Sequence, residues 1–209
     1  MKRSEEGPKH ASDERLLSDF LAGDRDCFSK LVERYGEELY RFVGRFIRSS
    51  AMVEDVVQET FIQVYQSAPG FDVSRRFRPW LFTIAANKAR DQLRSRARKR
   101  EVGLSTGASD EAEGNASYLD FLSDGSMAPD EIMEDKEARQ RVRGVVSRMP
   151  ENLREVLVLG YYHRFAYKEI ADILSIPLGT VKSRLHAAVS YFAAAYKTLE
   201  RDDKAGAPT

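Results

Sequence analysis

The chain has 209 residues, of which 42% are hydrophobic, 10% aromatic and 32% charged. This composition excludes collagen-like, low-complexity and fully disordered chains, and the length suits one domain or two small ones. A single cysteine, Cys27, excludes an intramolecular disulfide framework and a cysteine-based zinc site, and the three histidines are too scattered to predict a metal cluster. We therefore expect neither a metal nor another cofactor.

Charge is unevenly distributed along the chain, although 33 basic and 33 acidic side chains give a formal net charge of zero. Residues 1–87 carry a net charge of −1 and residues 88–100 a net charge of +6. Residues 101–137 carry −10, residues 138–200 carry +5, and residues 201–209 balance. Such segregation indicates contacts with a polyanion on both sides of an acidic connector.

Neither a membrane segment nor a targeting signal is predicted. No window approaches about 18 consecutive apolar residues, so we expect no membrane insertion. The first fifteen residues, MKRSEEGPKHASDER, are polar and lack the apolar core of a signal peptide. We therefore expect a cytoplasmic protein.

Apolar residues recur at three- and four-residue spacing on both sides of the acidic connector, which predicts helices. The first helix is predicted to be capped by Ser12 and Asp13 and to run to about Ala22, and the second is predicted to start at Asp24. The third should end at Pro69-Gly70, and the fourth should have Pro79 in its first turn. No stretch shows sustained two-residue alternation, so strands are not expected.

The predicted fold class is all-α, with two small helical domains joined by an acidic flexible linker that is rich in Gly, Ser and Ala. Beyond the linker, helices are predicted over 130–148 and 151–164, followed by a pair of helices around a turn at 175–179. The predicted segments are a flexible N-terminus (1–12), a first domain (13–100), the linker (101–133), a second domain (134–200) and a flexible tail (201–209).

The segment YKEIADILSIPLGTVKSRLH (167–186) has the layout of a helix-turn-helix. Pro177 disfavours helix at the residue before it, which predicts the turn, and Thr180 is predicted to cap the second helix. The core face of that helix is predicted to contain Val181, Leu185, Ala188 and Phe192, and the opposite face Lys182, Ser183 and His186. A helix presented in this way fits the major groove of DNA, with Arg184 placed for a phosphate. A plain helical corner with a solvated basic face is the alternative.

The fourth predicted helix becomes strongly basic at KARDQLRSRARKR (88–100). Basic side chains bind phosphates by releasing counterions, and aromatic rings beside them suit unstacked single-stranded bases. The predicted single-strand-binding residues are Phe71, Phe77, Trp80, Asn87, Lys88, Arg90, Arg94 and Arg98. A solvated basic face, with Trp80 in the core, is the alternative.

Two segments in the N-terminal half, DVVQETFIQVYQ (55–66) and PWLFTIAANKARDQLR (79–94), resemble region 2 of bacterial sigma factors of the extracytoplasmic-function (ECF) group. MPENLREVLVLGYYHRFAYKEIADILSIPLGTVKSRLHAA (149–188) resembles their region 4. The resemblance implies a protein without catalysis of its own that binds core RNA polymerase, directs it to promoter DNA and helps open that DNA. It also implies an anti-sigma factor as a partner.

The resemblance also implies functional sites. Asp55, Gln58, Glu59 and Phe61 match the helix that docks on the clamp helices of the largest catalytic polymerase subunit. The loop 69–78 and the helix after it match the part that reads the −10 element, where an extruded base is recognised and the Asn87 amide suits its edge. The helix bearing Thr180, Lys182, Ser183, Arg184 and His186 matches the part that reads the −35 element as duplex.

The sequence departs from the family pattern at two places. Ala187 and Ala188 follow SRLH, where another basic residue is common, and Gly160 stands where a charged residue is usual and favours a bend. The acidic linker is hypothesised to mimic RNA in the polymerase exit path, with a solubilising spacer as the alternative.

Other classes of protein remain to be distinguished from a sigma factor. A stand-alone helix-turn-helix regulator with an N-terminal sensing domain would bind duplex DNA tightly without polymerase. An enzyme is not expected, because the sequence has no catalytic carboxylate pair, nucleophile elbow, phosphate loop or metal cluster. A pure adaptor would leave the basic run after Asn87 unexplained.

Overall fold

The computed structural model describes residues 11–106 and 136–205, and the chain divides into two compact units, residues 1–114 and 115–209. Every regular element in the described ranges is a helix, which confirms the predicted all-α class. None of the described helices is both long enough and apolar enough to cross a membrane.

The N-terminal unit contains four helices, each following a polar or turn-forming segment. They are α1 (Asp13–Leu21), α2 (Arg25–Gly44), α3 (Ser50–Ser67) and α4 (Phe77–Thr106), with a 3-10 turn at Ala68–Gly70. Ser12 caps α1 as predicted, since its Oγ accepts the Arg15 N–H at 3.2 Å. Asp24, where the second helix was predicted to start, caps α2, since its Oδ1 accepts the Asp26 N–H at 3.1 Å. Capping satisfies backbone donors that have no partner inside the helix.

The core of this unit lies between α2, α3 and α4. The rings of Phe42 on α2 and Phe82 on α4 lie 5.0 Å apart and are fully buried, and Val64 of α3 is fully buried as well. Burial of one such side chain stabilises the fold by about 1.5–3 kcal/mol. The packing therefore fixes the rotation of α4 and decides which of its residues face outward.

The C-terminal unit also consists of four helices in the part of the chain that the structure describes. They are α5 (Lys136–Arg148), α6 (Glu151–Leu157), α7 (Tyr167–Leu174) and α8 (Leu178–Ala205), with a π turn at Val158–Tyr162. A buried cluster of Val146, Met149, Leu157 and Ala188 joins α5, α6 and α8. Tyr191 Oη donates to the Arg148 carbonyl at 3.0 Å, which ties α8 to the end of α5.

Two helices extend into segments that were predicted to be flexible. Helix α4 continues to Thr106, within the predicted linker, and α8 continues to Ala205, within the predicted tail. Where a bend was expected at Gly160, the structure has a π turn. A Cβ added at Gly160 would lie 3.6 Å from Ile170 Cδ1, which is an ordinary van der Waals contact. Residues 107–133 of the predicted linker lie outside the described residues, so the structure does not bear on the hypothesis that the linker mimics RNA. Residues 1–10 of the predicted N-terminal segment also lie outside them.

Candidate nucleic-acid and partner interfaces

The turn between α7 and α8 is formed by one left-handed residue. Ser175 has φ 53°, its N–H bonds to the Asp172 carbonyl at 3.3 Å, and the Ile176 N–H bonds to the Ala171 carbonyl at 3.0 Å. This is the Schellman arrangement that ends a helix sharply. The helix-turn-helix layout predicted from the sequence is therefore present.

The predicted cap at Thr180 is wrong. Helix α8 begins at Leu178, and the Pro177 carbonyl accepts the N–H groups of Thr180 at 2.9 Å and Val181 at 3.1 Å. Thr180 thus lies inside the first turn, where its carbonyl accepts the Ser183 hydroxyl at 3.1 Å.

The two faces of α8 are separated as the sequence predicts. Val181, Leu185 and Ala188 are buried, and Phe192 packs against the core cluster. Lys182, Ser183 and His186 are exposed, and Arg184 is half-buried on the flank. A rigid helix with buried anchors on one side presents its opposite side to a groove without rearrangement.

Helix α4 carries an exposed stripe opposite its buried face. The buried side consists of Phe77, Leu81, Phe82, Ala85, Ala86 and Ala89. Trp80, Asn87 and Arg94 are spaced by seven residues, which places them along one line on the other side. Arg90 and Arg98 extend the same side, whereas Lys88 is turned toward α3 and lies 3.5 Å from Glu59.

Three aromatic rings meet where the loop 71–76 enters α4. The Phe71 and Trp80 rings are 4.4 Å apart with an interplanar angle of 33°, and both are half-buried. Phe77 is 0% exposed and packs beneath them, 6.4 Å from Phe71 and 5.8 Å from Trp80. Phe77 therefore supports the other two rings, and its predicted direct contact with a base is corrected to a role in the core.

The loop itself is ordered by Asp72. Its Oδ1 accepts the Ser74 N–H at 2.9 Å and its carbonyl accepts the Arg75 N–H at 2.9 Å. Hydrogen bonds from the Ser74 hydroxyl, and then from the Ser74 N–H, hold the pKa of Asp72 below its ordinary value. Asp72 is thus ionised and keeps the loop folded, while Arg75 and Arg76 are exposed at its surface.

Several side chains of the α4 stripe are already engaged within the protein. Asn87 Oδ1 accepts Arg90 Nη1 at 3.2 Å, and Arg94 lies 3.7 Å from Asp91. These contacts are exposed and lie on the helix surface, so a nucleic acid can replace them at small cost.

An apolar groove of about 620 Å³ runs between α2 and α3. It is lined by Val32, Gly36, Glu37, Tyr40, Glu54, Val57, Gln58, Phe61 and Ile62. Of the predicted docking residues, Gln58 and Phe61 line this groove, whereas Asp55 and Glu59 are exposed elsewhere on α3. Phe61 is only 8% exposed and forms part of the groove floor rather than a protruding contact.

The sequence prediction missed Ile62, which is 56% exposed at the groove edge, and neighbouring Tyr65, which is 50% exposed. Both lie outside the apolar stripe that α3 turns toward the core. Large apolar residues off the buried face of an amphipathic helix are the signal that could have identified them.

Comparison with known proteins agrees with this two-unit arrangement. The family model of Sigma-70 region 2 matches residues 31–99, and that of Sigma-70 region 4 matches residues 139–190. The fold is thus that of a transcription initiation factor of the sigma-70 type.

Individual relatives narrow the class. The chain is 31% identical over 164 residues to the ECF RNA polymerase sigma factor SigW of Bacillus subtilis, covering 78% of this chain and 86% of SigW. It is 34% identical over 177 residues to the ECF RNA polymerase sigma-E factor of Escherichia coli K12, covering 85% and 90%. The structure of CnrH in complex with the cytosolic domain of CnrY is similar, with a TM-score of 0.65, 25% identity and coverage of 90% and 99%.

The chain belongs to the ECF family of RNA polymerase sigma factors. It is an alternative sigma factor that directs transcription initiation. Sigma factors are initiation factors without catalytic activity of their own.

Proposed function

We propose that the N-terminal unit docks on core polymerase and reads the −10 element as an unstacked single strand, and that the C-terminal unit reads the −35 element as duplex. The main support for this proposal is the exposed stripe on α4. It places the Trp80 ring, one exposed amide and several guanidinium groups in sequence along one helix face, with the Phe71 ring of the loop against Trp80.

The −10 proposal follows from the chemistry of that stripe. The Phe71 and Trp80 pair offers a half-exposed aromatic surface on which a base can stack. Asn87, two turns further along the same line, has both donors and an acceptor for the edge of an extruded base. Arg90, Arg94 and Arg98 then follow the backbone phosphates, with Lys88 on the side facing α3.

The −35 proposal follows from α8. Lys182, Ser183 and His186 are exposed on its first turns, and these are the turns that enter a major groove in helix-turn-helix proteins. Arg184 on the flank suits contact with a phosphate. Thr180 lies in the first turn of α8 and is included in the proposed −35 surface. Exposed Ala187 follows His186, which leaves this surface with a small number of cations.

Docking on polymerase is proposed for α3 and the groove beside it. Gln58 and exposed Ile62 line an apolar groove, and Asp55 and Glu59 are exposed polar groups on the same helix outside it. Protein interfaces combine an apolar centre with a polar rim in this way. Phe61 supports the groove from below.

We further propose regulation by an anti-sigma factor, since a freely active alternative sigma factor would compete for polymerase. The solved structure of CnrH contains the cytosolic domain of a second protein, CnrY, which supports a cytosolic protein partner for this chain as well. We expect the protein in the cytoplasm, where RNA polymerase acts, and expect no enzymatic activity from it.

Run-off transcription with purified core polymerase on a promoter library tests these proposals. The Asn87→Ala change should relax selectivity at one −10 position by about 1–3 kcal/mol, because a base edge loses its amide partner. The Lys182→Ala change should weaken −35-dependent initiation while leaving −10 preferences intact. Equal activity of both variants and the wild type on every promoter would contradict the site assignment.

Matched controls lie on the same two helices. Gln92→Ala removes an amide from the side of α4 that faces away from the stripe, and Lys197→Ala removes an exposed cation from the far part of α8. Both should behave as the wild type. Tight duplex binding by the protein without polymerase would instead favour a stand-alone regulator.

A further inference from the structure

Helix α1 contacts the elements at both ends of the loop 71–76. It contacts the 3-10 turn Ala68–Gly70, which leads into the loop, and it contacts α4, which follows it. The loop and the aromatic pair next to it belong to the proposed −10 surface. The position of α1 thus bears directly on that surface.

One hydrogen bond joins α1 to the start of α4. Glu14 Oε1 accepts the backbone N–H of Phe77, the first residue of α4, at 2.9 Å. The first N–H groups of a helix have no acceptor within the helix, and a negative charge near them is favourable. Glu14 thus supplies from α1 the acceptor that α4 lacks, at the residue whose ring supports Phe71 and Trp80.

Glu14 is itself held in place by its neighbour. Asp13 accepts the Tyr35 hydroxyl and an Arg34 guanidinium N–H, and Arg34 also donates to the Ala11 carbonyl at 3.1 Å. Burial, and next the hydrogen bond to Asp13, raise the pKa of Tyr35 well above its usual range, so the hydroxyl remains a donor. The start of α1 is therefore fixed to α2.

We infer that Glu14 is a positioning residue for −10 recognition: it holds the start of α4 and thereby the loop and the Phe71–Trp80 pair that meet the DNA. This inference rests on the proposed function of the α4 stripe. Glu14 lies outside the part of the chain, residues 31–99, that the family model of region 2 matches.

The first test observes the loop directly in the full-length chain. The protein has one tryptophan, Trp80, so its fluorescence reports on the aromatic pair alone. In Glu14→Ala, acrylamide quenching of Trp80 should rise, and the Phe77 amide should exchange with solvent about tenfold faster because it has lost its acceptor. Glu14→Gln keeps an amide oxygen as acceptor and should stay close to the wild type.

A matched control lies on the same helix. Asp19→Asn removes an acidic group that pairs only locally with Arg15, at 3.0 Å on the surface of α1. It should change neither Trp80 quenching nor Phe77 exchange. Unchanged quenching and exchange in Glu14→Ala would overturn the inference.

The second test separates positioning from simple stabilisation. In transcription from a promoter library, Glu14→Ala should flatten the base preferences within the −10 element about three- to tenfold and leave the −35 preferences unchanged. If the loop loosens but an active Glu14→Ala protein keeps the wild-type −10 profile, the inference fails and the proposed function stands. If the wild type itself shows no promoter-specific transcription, both fail.

Discussion

The two surfaces proposed to read DNA differ in how far their side chains are engaged before DNA arrives. On α4, Lys88 pairs with Glu59 and Arg94 with Asp91. On α8, Lys182 and His186 are exposed and form no ion pair or hydrogen bond with the residues that the structure describes. The α4 surface thus has more cations than the α8 surface, but some of them are held in contacts within the protein.

The difference fits the forms of DNA that the two surfaces are proposed to read. A duplex presents its edges in a fixed groove, so a rigid helix with exposed side chains suffices. An unstacked base must be held between aromatic rings and polar groups whose positions are set in advance. We expect the internal contacts of the α4 region to supply that order and to lower its attraction for DNA in the free protein.

The largest expected effect is on the stability of the N-terminal unit, when its core is disrupted. The C-terminal unit should keep its stability, so this change distinguishes the two units. Phe82→Ala removes a fully buried ring that contacts Phe42, and should destabilise this unit by about 3–5 kcal/mol. Hydrogen exchange should then show lost protection in α2 and α4, with protection in α7 and α8 retained.

The reciprocal change provides the control. Ile170→Ala removes a fully buried side chain of α7 and should lower protection in the C-terminal unit alone, at a cost of about 2–5 kcal/mol. If either variant abolished protection in both units, the two would fold as one body and the comparison between independent surfaces would not hold.

A smaller effect is expected from releasing the cation that α3 neutralises. Glu59→Gln removes the partner of Lys88, so the free protein should bind an unstacked −10 strand a few-fold more tightly, since an exposed pair is worth about 0–1 kcal/mol. The slope of log K against log salt should steepen by about 0.7 for one additional phosphate contact. Titration of a fluorescent single strand at several salt concentrations measures both.

The double variant Glu59→Gln, Lys88→Gln tests whether release of Lys88 causes the tighter strand binding. It should lose the gain in affinity and in salt dependence, because the released cation is absent. An unchanged slope in Glu59→Gln alone would mean that Lys88 does not reach a phosphate. The contrast with α8 would then rest on the contacts of Arg90 with Asn87 and of Arg94 with Asp91.

The sequence predicts the helices of both units well, because each follows an apolar repeat, and Ser12 and Asp24 mark the starts of the first two. The faces of α8 were also predictable, since Val181 and Leu185 share one side and Lys182 and His186 the other. A repeat does not reveal contacts between distant segments. The hydrogen bond from the Phe77 N–H to Glu14 spans 63 positions and involves a backbone donor that every residue type except proline offers.

Two predictions failed for local reasons. Thr180 has the chemistry of a cap, but the Pro177 carbonyl accepts its N–H, so the helix begins earlier at Leu178. Phe77 is one of several aromatic residues around the loop, and composition alone does not distinguish the ring that packs inward from those at the surface. That distinction depends on the rotation of α4, which the core sets.

The smallest expected effect concerns the turn that orients α8. Ser175 holds φ 53°, a conformation that costs an L-residue about 1–2 kcal/mol and glycine almost nothing. After the larger entropy that glycine loses on folding, Ser175→Gly should stabilise the C-terminal unit by about 0.5–1 kcal/mol, measured by denaturant unfolding. Ser175→Ala keeps the Cβ and should give no gain. The N-terminal unit should be unaffected, and −35 affinity should be retained because Ser175 ends α7 rather than facing the groove. A loss of stability in the glycine variant would mean that the Ser175 side chain, rather than its backbone conformation, holds the turn.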